Sequence, residues 1–172
     1  SQLSRRSFFH QTLLGAAATG ATWFDVPQLM ADTRDASLLK YGGFPMGIQS
    51  YSLRGFGVDG ALDKIQELEL HHVEFFRMHF PPTPDASKIE AMNAKLSQRD
   101  ISISAHGVES FSSDHQANET FFKFAKKVGI RNISANPQPD SFESLNRLVA
   151  QYNIRIAIHN HGPGALYDSP LD

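Results

Sequence analysis

The stretch IRIAIHNH, residues 154–161, decides the fold that we expect for this chain. Successive side chains of an extended strand point to opposite faces, so the isoleucines share one face. The arginine, the alanine and both histidines share the other. Strands of an open doubly wound sheet are apolar on both faces, because helices cover both. The alternation therefore indicates a strand that packs helices on one side and lines a hydrophilic space on the other.

Four earlier strand-like runs show a related alternation: residues 46–53, 71–76, 101–108 and 131–136. A helical segment follows each of them, and strand centres recur roughly every 23–30 residues, the length of one unit of an eightfold barrel. An antiparallel sheet with one solvated face would explain the alternation but not the helices. The sequence predicts an α/β fold, a (β/α)8 TIM barrel of which about the first five β/α units are present. A compact five-strand domain is the alternative.

Capping signals predict where the helices begin and end. Glycine or asparagine often follows a helix, and aspartate or serine often precedes one. The expected ends of the third and fourth helices are Gly129 and Asn153. The expected starts are Asp59, Asp85 or Ser87, Ser113 with Asp114, and Asp140 with Glu143 in a capping-box-like pair.

Composition excludes several functional classes. The formal net charge of the 172 residues is -2, which argues against a nucleic-acid binder because phosphate neutralisation needs a basic surface. The chain has no cysteine, so disulfides, thiolate nucleophiles and Cys-ligated zinc are excluded. Any metal must be held by imidazole, carboxylate, amide or water.

The N-terminus resembles a twin-arginine export signal. The sequence SRRSFF at residues 4–9 precedes an Ala/Gly-rich stretch at 13–21 that is too short for a stable membrane span. We therefore expect export by the twin-arginine route to the periplasm, with cleavage between residues 21 and 36. A frayed amphipathic helix is the alternative. The expected domains are a signal peptide with the start of a linker at 1–36, the rest of the linker at 37–44, and a partial barrel at 45–172.

Polar side chains at the strand ends would converge, since the carboxyl ends of parallel strands open onto one face. Glu74 lies between apolar neighbours, and carboxylates are seldom buried without a partner. The candidate partners are a polyol hydroxyl, His72, His106 and Arg77. A purely structural ion pair between Glu74 and Arg77 is the alternative to a role in substrate binding or catalysis. Gln49 and Tyr51 suit hydroxyl recognition.

His159 and His161 are two residues apart on one strand, so both imidazoles point inward at the carboxyl end of the barrel. Imidazole is a common ligand of divalent metals. A metal site and a hydrogen-bonded pair that lines a metal-free pocket are equally compatible with this spacing. His106, placed on the inward face of the third strand, is expected to bind a sugar hydroxyl, or a metal if the site is endonuclease-like.

Four motifs together resemble the xylose-isomerase-like TIM barrel superfamily, which includes sugar phosphate isomerases/epimerases, inosose dehydratases and endonuclease IV. They are MGIQSYS at 46–52, VEF at 73–75, SAHG at 104–107 and IHNHG at 158–162. The resemblance implies a divalent metal held by Glu, Asp, His and Glu from the last four strands, with the glutamates moving a proton. The first of these positions corresponds to His159, where this chain departs from the family's glutamate, and the others would lie beyond Asp172.

The resemblance implies a sugar or polyol isomerase/epimerase, or a related lyase, that moves a proton beside a carbonyl. A non-catalytic carbohydrate-binding barrel is the alternative, and an endonuclease IV-like nuclease is disfavoured by charge and export. We expect the chain to be a fragment that is inactive by itself. Its expected partner is a small sugar or polyol, and no nucleic acid is expected. A homo-oligomer is left open. The expected cofactor is a divalent metal, Mn, Zn, Mg or Co. The expected site residues are His159 and Glu74 for catalysis, Gln49, Tyr51, His106 and His161 for substrate, and His159 and His161 for the metal.

Overall fold

A computed structural model of the protein describes residues 40–169. The predicted signal peptide at 1–36 and the first part of the linker lie outside these residues. Five parallel strands form one sheet, in which each strand pairs with the next one along the chain. The strands are β1 Gly47–Gln49, β2 His72–Phe75, β3 Ser102–Glu109, β4 Asn132–Ala135 and β5 Arg155–Ile158.

A helix connects each strand to its neighbour. The α-helices described between the strands are α1 Val58–Glu67, α2 Ala86–Gln98, α3 His115–Val128 and α4 Phe142–Tyr152. Short 3-10 turns, Ser50–Leu53 and Pro139–Ser141, follow β1 and precede α4. This confirms the predicted α/β fold, with successive β/α units arranged as in part of a TIM barrel. No helix in residues 40–169 combines the length and the apolar character that crossing a bilayer requires.

The hydrophobic core lies between the sheet and the helices. The sheet contributes side chains that are at most 1% exposed, and among the helices α1, α2 and α3 supply the largest inward stripes. The sheet residues are Val73, Phe75, Ile133 and Ala135, and the helix residues include Leu62, Ile65, Ile89, Met92, Leu96, Phe121, Phe122 and Phe124. Fully burying one such side chain is worth about 1.5–3 kcal/mol relative to leaving it exposed, so this layer supports the fold.

The predicted side-chain alternation holds in four strands. Gly47 pairs with His72 and Gln49 with Glu74, so these residues share the face opposite the core. In β4 and β5 the pair Ser134–Ala157 shares that face, whereas Ile133 and Ile156 face the helices. Strand β3 departs from the expected pattern. Val73 pairs with Ile103 but Glu74 pairs with Ala105, so one extra residue interrupts the ladder and reverses the facing of Ala105 and His106. A second irregularity follows between His106 and Glu109.

Two of the predicted helix starts are used as caps. The Asp85 carboxylate accepts from the Ser87 backbone N–H, and Asp114 accepts from the N–H groups of Gln116 and Ala117. The Ser87 hydroxyl and then its backbone N–H hold the pKa of the Asp85 carboxyl below its usual value, so acid weakens this cap. The helix ends at Gly129 and Asn153 are confirmed, with φ values of 87° and 54°.

Two predicted starts are wrong. Helix α1 begins after Gly57, which places Asp59 inside its first turn. Helix α4 follows the 3-10 turn that contains Asp140, and its capping residue Ser141 makes no side-chain cap bond. A proline at the start of that turn has a fixed φ angle and favours a tight helical entry.

The capping residues allow a test of stability with a matched control. Asp114→Ala should lower the free energy of unfolding by about 1 kcal/mol, because it leaves two backbone donors of α3 without a partner. Urea denaturation of the full chain measures the change. Asp140→Ala is the control, and we expect it to change stability by less than about 0.5 kcal/mol. Equal losses in both variants would contradict the assigned caps.

Candidate functional site

The face of the sheet opposite the core carries a hydrogen-bonded glutamine and glutamate. Gln49 ends β1 and Glu74 lies directly beside it in β2. The Gln49 amide Nε2 donates to Glu74 Oε1 over 3.0 Å. Both residues line a cavity of about 400 Å³, together with Pro45, Gly47, Ile48, His72 and Ser104. The pair is thus open to a small molecule.

Glycine at position 47 allows β1 to approach β2 closely. A Cβ atom at Gly47 would lie 2.6 Å from the His72 carbonyl oxygen, far inside van der Waals contact. A larger residue would therefore push the strands apart. The close approach keeps Gln49 in register with Glu74 two residues further along.

Glu74 does not form the structural ion pair that was the alternative to binding a ligand hydroxyl. Arg77 does not pair with Glu74, since its Nη2 donates to Glu109 Oε2 instead. Glu74 is half-buried, and Gln49 occupies one of its oxygens. Within residues 40–169, no side chain or backbone group donates to Glu74 Oε2. The carboxylate is therefore oriented by one partner and keeps a second oxygen for another.

Tyr51 stands at the same edge of the sheet, in the 3-10 turn after β1. Its ring packs edge-on against Phe76 at 5.5 Å between centroids, and the Arg54 guanidinium lies 4.4 Å from the ring centre. The side chain is about half exposed, at 51%. Two contacts hold the ring while its hydroxyl stays accessible at the rim, so the assignment to substrate binding remains a prediction.

His159 and His161 lie side by side just past β5. Backbone bonds fix both residues, from His159 N–H to the Ala135 carbonyl (2.8 Å) and from His161 N–H to the Tyr167 carbonyl (2.9 Å). The Tyr167 hydroxyl in turn donates to the Pro137 carbonyl over 2.7 Å, and Tyr167 is buried. The two imidazole centroids are 4.7 Å apart with an interplanar angle of 72°. This turn therefore presents two imidazoles at the carboxyl edge of the sheet.

These imidazoles fit part of a metal site. Neutral imidazole offers a lone pair that suits divalent transition metals. The described part of the chain contains no group of three or more histidine, aspartate or glutamate side chains arranged to hold a metal ion. His159 and His161 would therefore supply two ligands, and the others would have to come from water, substrate or residues outside that part.

His106 does not join the other candidates, which corrects the predicted orientation. Its side chain is fully buried and contacts Phe80, Phe121 and Phe124, with ring centroids 5.5–6.4 Å away. The extra residue in β3 turns His106 toward α3, opposite Phe75 in the register. Its Nε2 lies 2.9 Å from the Phe80 carbonyl oxygen. A substrate in the cavity that Gln49 and Glu74 line would be on the other side of the sheet.

Glu109 is the charged residue that sequence reasoning did not assign. It ends β3, is 1% exposed, and binds Arg77 through Oε2. Its Oε1 lies 3.2 Å from His106 Nδ1, yet neither atom has an aligned hydrogen bond. The two side chains are thus in close contact without a hydrogen bond. A glutamate at a strand end was the available signal, but alternation could not tell which face it takes.

Four buried side-chain atoms have no hydrogen-bond partner in the described residues: His79 Nδ1, His106 Nδ1, Glu109 Oε1 and Asn136 Oδ1. All four belong to segments at the carboxyl ends of β2, β3 and β4. The Nε2 atoms of His79 and His106 contact backbone carbonyls, which only accept, so in a neutral ring Nδ1 carries the lone pair. Carboxylate and amide oxygens also accept. Since buried polar atoms are normally paired, this edge has a surplus of acceptors.

Solved structures that resemble this fold include the following two. An uncharacterized protein from Parabacteroides distasonis ATCC 8503 is 25% identical, with a TM-score of 0.58, over 67% of this chain and 52% of that chain. A xylose isomerase domain containing protein from Salmonella typhimurium LT2 is 17% identical, with a TM-score of 0.53, over 69% of this chain and 50% of that one. The chain thus spans about half the length of each. No protein-family model and no curated protein matches the sequence. The likeness supports the α/β fold described above, with β/α units arranged as in part of a TIM barrel.

Proposed function

We propose that the protein is a sugar or polyol isomerase or epimerase, or a related lyase, that moves a proton beside a carbonyl with the help of a divalent metal. The observation that carries this proposal is the Gln49–Glu74 pair, a carboxylate oriented by an amide inside a cavity of about 400 Å³. The xylose-isomerase-like fold of a structural neighbour supports the same class of reaction by analogy.

Glu74 has the features of a general base. Gln49 holds Oε1, so Oε2 is the atom that can take a proton from the carbon next to a substrate carbonyl. Returning the proton to the neighbouring carbon, while the hydroxyl proton of one substrate oxygen moves to the other oxygen, completes an isomerisation. Returning it to the opposite face of the same carbon completes an epimerisation. His159, at the same edge of the sheet, is the second candidate for proton transfer. Tyr51, Gln49 and His161 would bind substrate hydroxyls.

The proposed metal would be held by His159 and His161. When bound, a divalent metal supplies a positive charge that polarises the substrate oxygens. The two imidazoles can hold it only as neutral ligands, so acid should release it. The backbone bonds that fix both residues keep the two rings on one side of the turn.

A non-catalytic carbohydrate-binding barrel is the second candidate. His159 favours it, because the resemblance places a metal-binding, proton-transferring glutamate at this position. Such a protein would keep the cavity of Gln49 and Glu74 and bind sugar without turnover. Metal content and turnover separate the two candidates.

Removing the negative charge of Glu74 tests the base. Glu74→Gln keeps the shape and the contact with Gln49, yet it should reduce kcat/KM at least about 100-fold, the lower end of the effect of a general base. The assay is isomerisation and epimerisation of a panel of ketoses and aldoses by the full-length protein. Glu90→Gln, on the exposed face of α2, is the control with the same charge change. Wild-type kinetics for Glu74→Gln would refute the assignment.

Removing the imidazoles tests the metal. After loading with Mn or Zn and desalting, the full-length wild-type protein should retain roughly one metal ion per molecule, measured by elemental analysis. His159→Ala and His161→Ala should each weaken retention by more than the 10- to 100-fold that loss of an outer-shell partner typically costs. His71→Ala is the control, because His71 contacts Asp100 and not the candidate site. A metal-free wild type with intact sugar affinity would favour the binding barrel.

We also propose export by the twin-arginine route to the periplasm, from the SRRSFF sequence at 4–9. Replacing Arg5 and Arg6 together by lysine should strongly reduce export of a reporter fused after residue 44, because both replacements keep the charge but lose the paired guanidinium groups. Cell fractionation measures the effect. The variant Lys40→Arg serves as the control. Unchanged export of the double variant would rule the route out.

A further inference from the structure

The cavity that Gln49 and Glu74 line contains a second group that can move protons. His72 begins β2, two residues before Glu74, and both side chains lie on the face of the strand that lines the cavity. Gln49 and Ser104 also line it, but amide and hydroxyl groups do not gain or lose a proton near neutral pH. Among the described lining residues, His72 and Glu74 are therefore the two that can take up and release protons.

The neighbouring strands hold the imidazole of His72 in place. Its Nδ1 lies 2.7 Å from the hydroxyl oxygen of Ser102, its partner in the register of β2 and β3. On the other side β1 passes close by, because a Cβ atom at Gly47 would lie only 2.8 Å from His72 Cβ. The ring is thus bounded by one neighbouring strand and hydrogen-bonded to the other.

The hydrogen bonds of Ser102 select one tautomer of His72. The serine hydroxyl has a single hydrogen, and its oxygen also lies 3.1 Å from the His71 carbonyl oxygen, which can only accept. Both contacts are hydrogen bonds at the same time only when His72 Nδ1 donates to the serine oxygen. In the neutral ring the lone pair is then on Nε2. Within residues 40–169 this Nε2 has no hydrogen-bond partner and is not closed off from solvent, so a ligand can reach it.

Isomerisation of a sugar requires a group of this kind. Glu74 takes the proton from the carbon beside the carbonyl, the electron pair of the broken C–H bond forms a C=C bond, and the carbonyl oxygen becomes an oxyanion. The isomer forms only when the proton of the neighbouring hydroxyl moves to that oxyanion and Glu74 returns its proton to the former carbonyl carbon. Glu74 holds the carbon proton on one oxygen during this step, and Gln49 occupies the other. The hydroxyl proton therefore needs a second carrier.

We propose that His72 is a catalytic residue of the isomerisation, whose Nε2 takes the proton of the substrate hydroxyl and delivers it to the former carbonyl oxygen. This inference rests on the proposed function. The ring becomes an imidazolium when the first O–H bond breaks and is neutral again when the second forms, so no further reactant is consumed. Side chains two apart on a strand are separated by about 6.6 Å along it, which leaves room for the reacting carbons and oxygens between His72 and Glu74. Ser102 is a positioning residue that acts through His72.

The test separates the two proton transfers on one substrate. The full-length protein is incubated in heavy water with the panel of aldoses and ketoses, and NMR follows two rates. The first is conversion to the isomer, and the second is the exchange of hydrogen for deuterium beside the carbonyl in the unconverted sugar and its epimer. His72→Gln cannot become a cation, so it should slow conversion at least about 100-fold while exchange through Glu74 continues. Glu74→Gln should lose both reactions.

A matched control and a pair of serine variants complete the design. His71→Gln should leave both rates unchanged, because this imidazole contacts the Asp100 carbonyl and does not line the cavity. Ser102→Ala removes the acceptor of His72 Nδ1, so it should slow conversion more than exchange. Ser102→Thr keeps the hydroxyl and should restore the wild-type ratio of the two rates. The serine pair gives its answer whether or not His72→Gln folds, which urea denaturation checks.

The outcomes separate this inference from the proposed function. A ratio of conversion to exchange that stays at the wild-type value in His72→Gln would overturn the role of His72, and the loss of both reactions in Glu74→Gln would leave the proposed function standing. A wild type that exchanges hydrogen without forming any isomer would also overturn the role of His72. A wild type that neither converts nor exchanges any sugar would overturn both proposals.

Discussion

Among residues 40–169 the helices cover one face of the sheet only, and the rest of the structure depends on this. Each buried aliphatic or aromatic side chain on the helix face contributes about 1.5–3 kcal/mol, whereas an unpaired buried carboxylate would cost more than one such side chain gains. Strand β2 shows the separation within two residues. Phe75 is 1% exposed in the core, while Glu74 points the other way and meets Gln49. The stability of the fold and the polarity of the candidate site thus come from the same alternation.

This explains which parts of the fold and the site could be predicted from the sequence. Alternation is local, so the strands and the facing of Gln49, Glu74 and the residues of β5 follow from it. Helix ends at Gly129 and Asn153 are also local signals. The extra residue in β3 belongs to the pairing between two strands and leaves no mark in the sequence of either one. His106 was therefore placed on the wrong face, although its strand was predicted correctly.

Partner choice was unpredictable for a similar reason. Arg77 follows Glu74 by three residues, which made an ion pair between them a reasonable alternative. The structure instead joins Arg77 to Glu109, 32 residues away in sequence. Glu74 lies within β2, so the pleat of that strand sets the direction of its side chain. Arg77 lies in the turn after β2, and its side chain reaches Glu109 in β3. Only the parallel arrangement of β2 and β3 brings those two residues together.

The chemical character of the carboxyl edge explains why Arg77 and Glu109 pair across two strands. The unpaired buried atoms of this edge are acceptors, from His79, Asn136 and Glu109, and they are closed off from solvent. Arg77 contributes the opposite character, because its guanidinium can only donate. Its Nη2 donates to Glu109 Oε2, so the ion pair supplies a donor to a buried group of acceptors. Moving Arg77 away would leave the buried Glu109 carboxylate without its bonded partner, so this ion pair ties the turn after β2 to the end of β3.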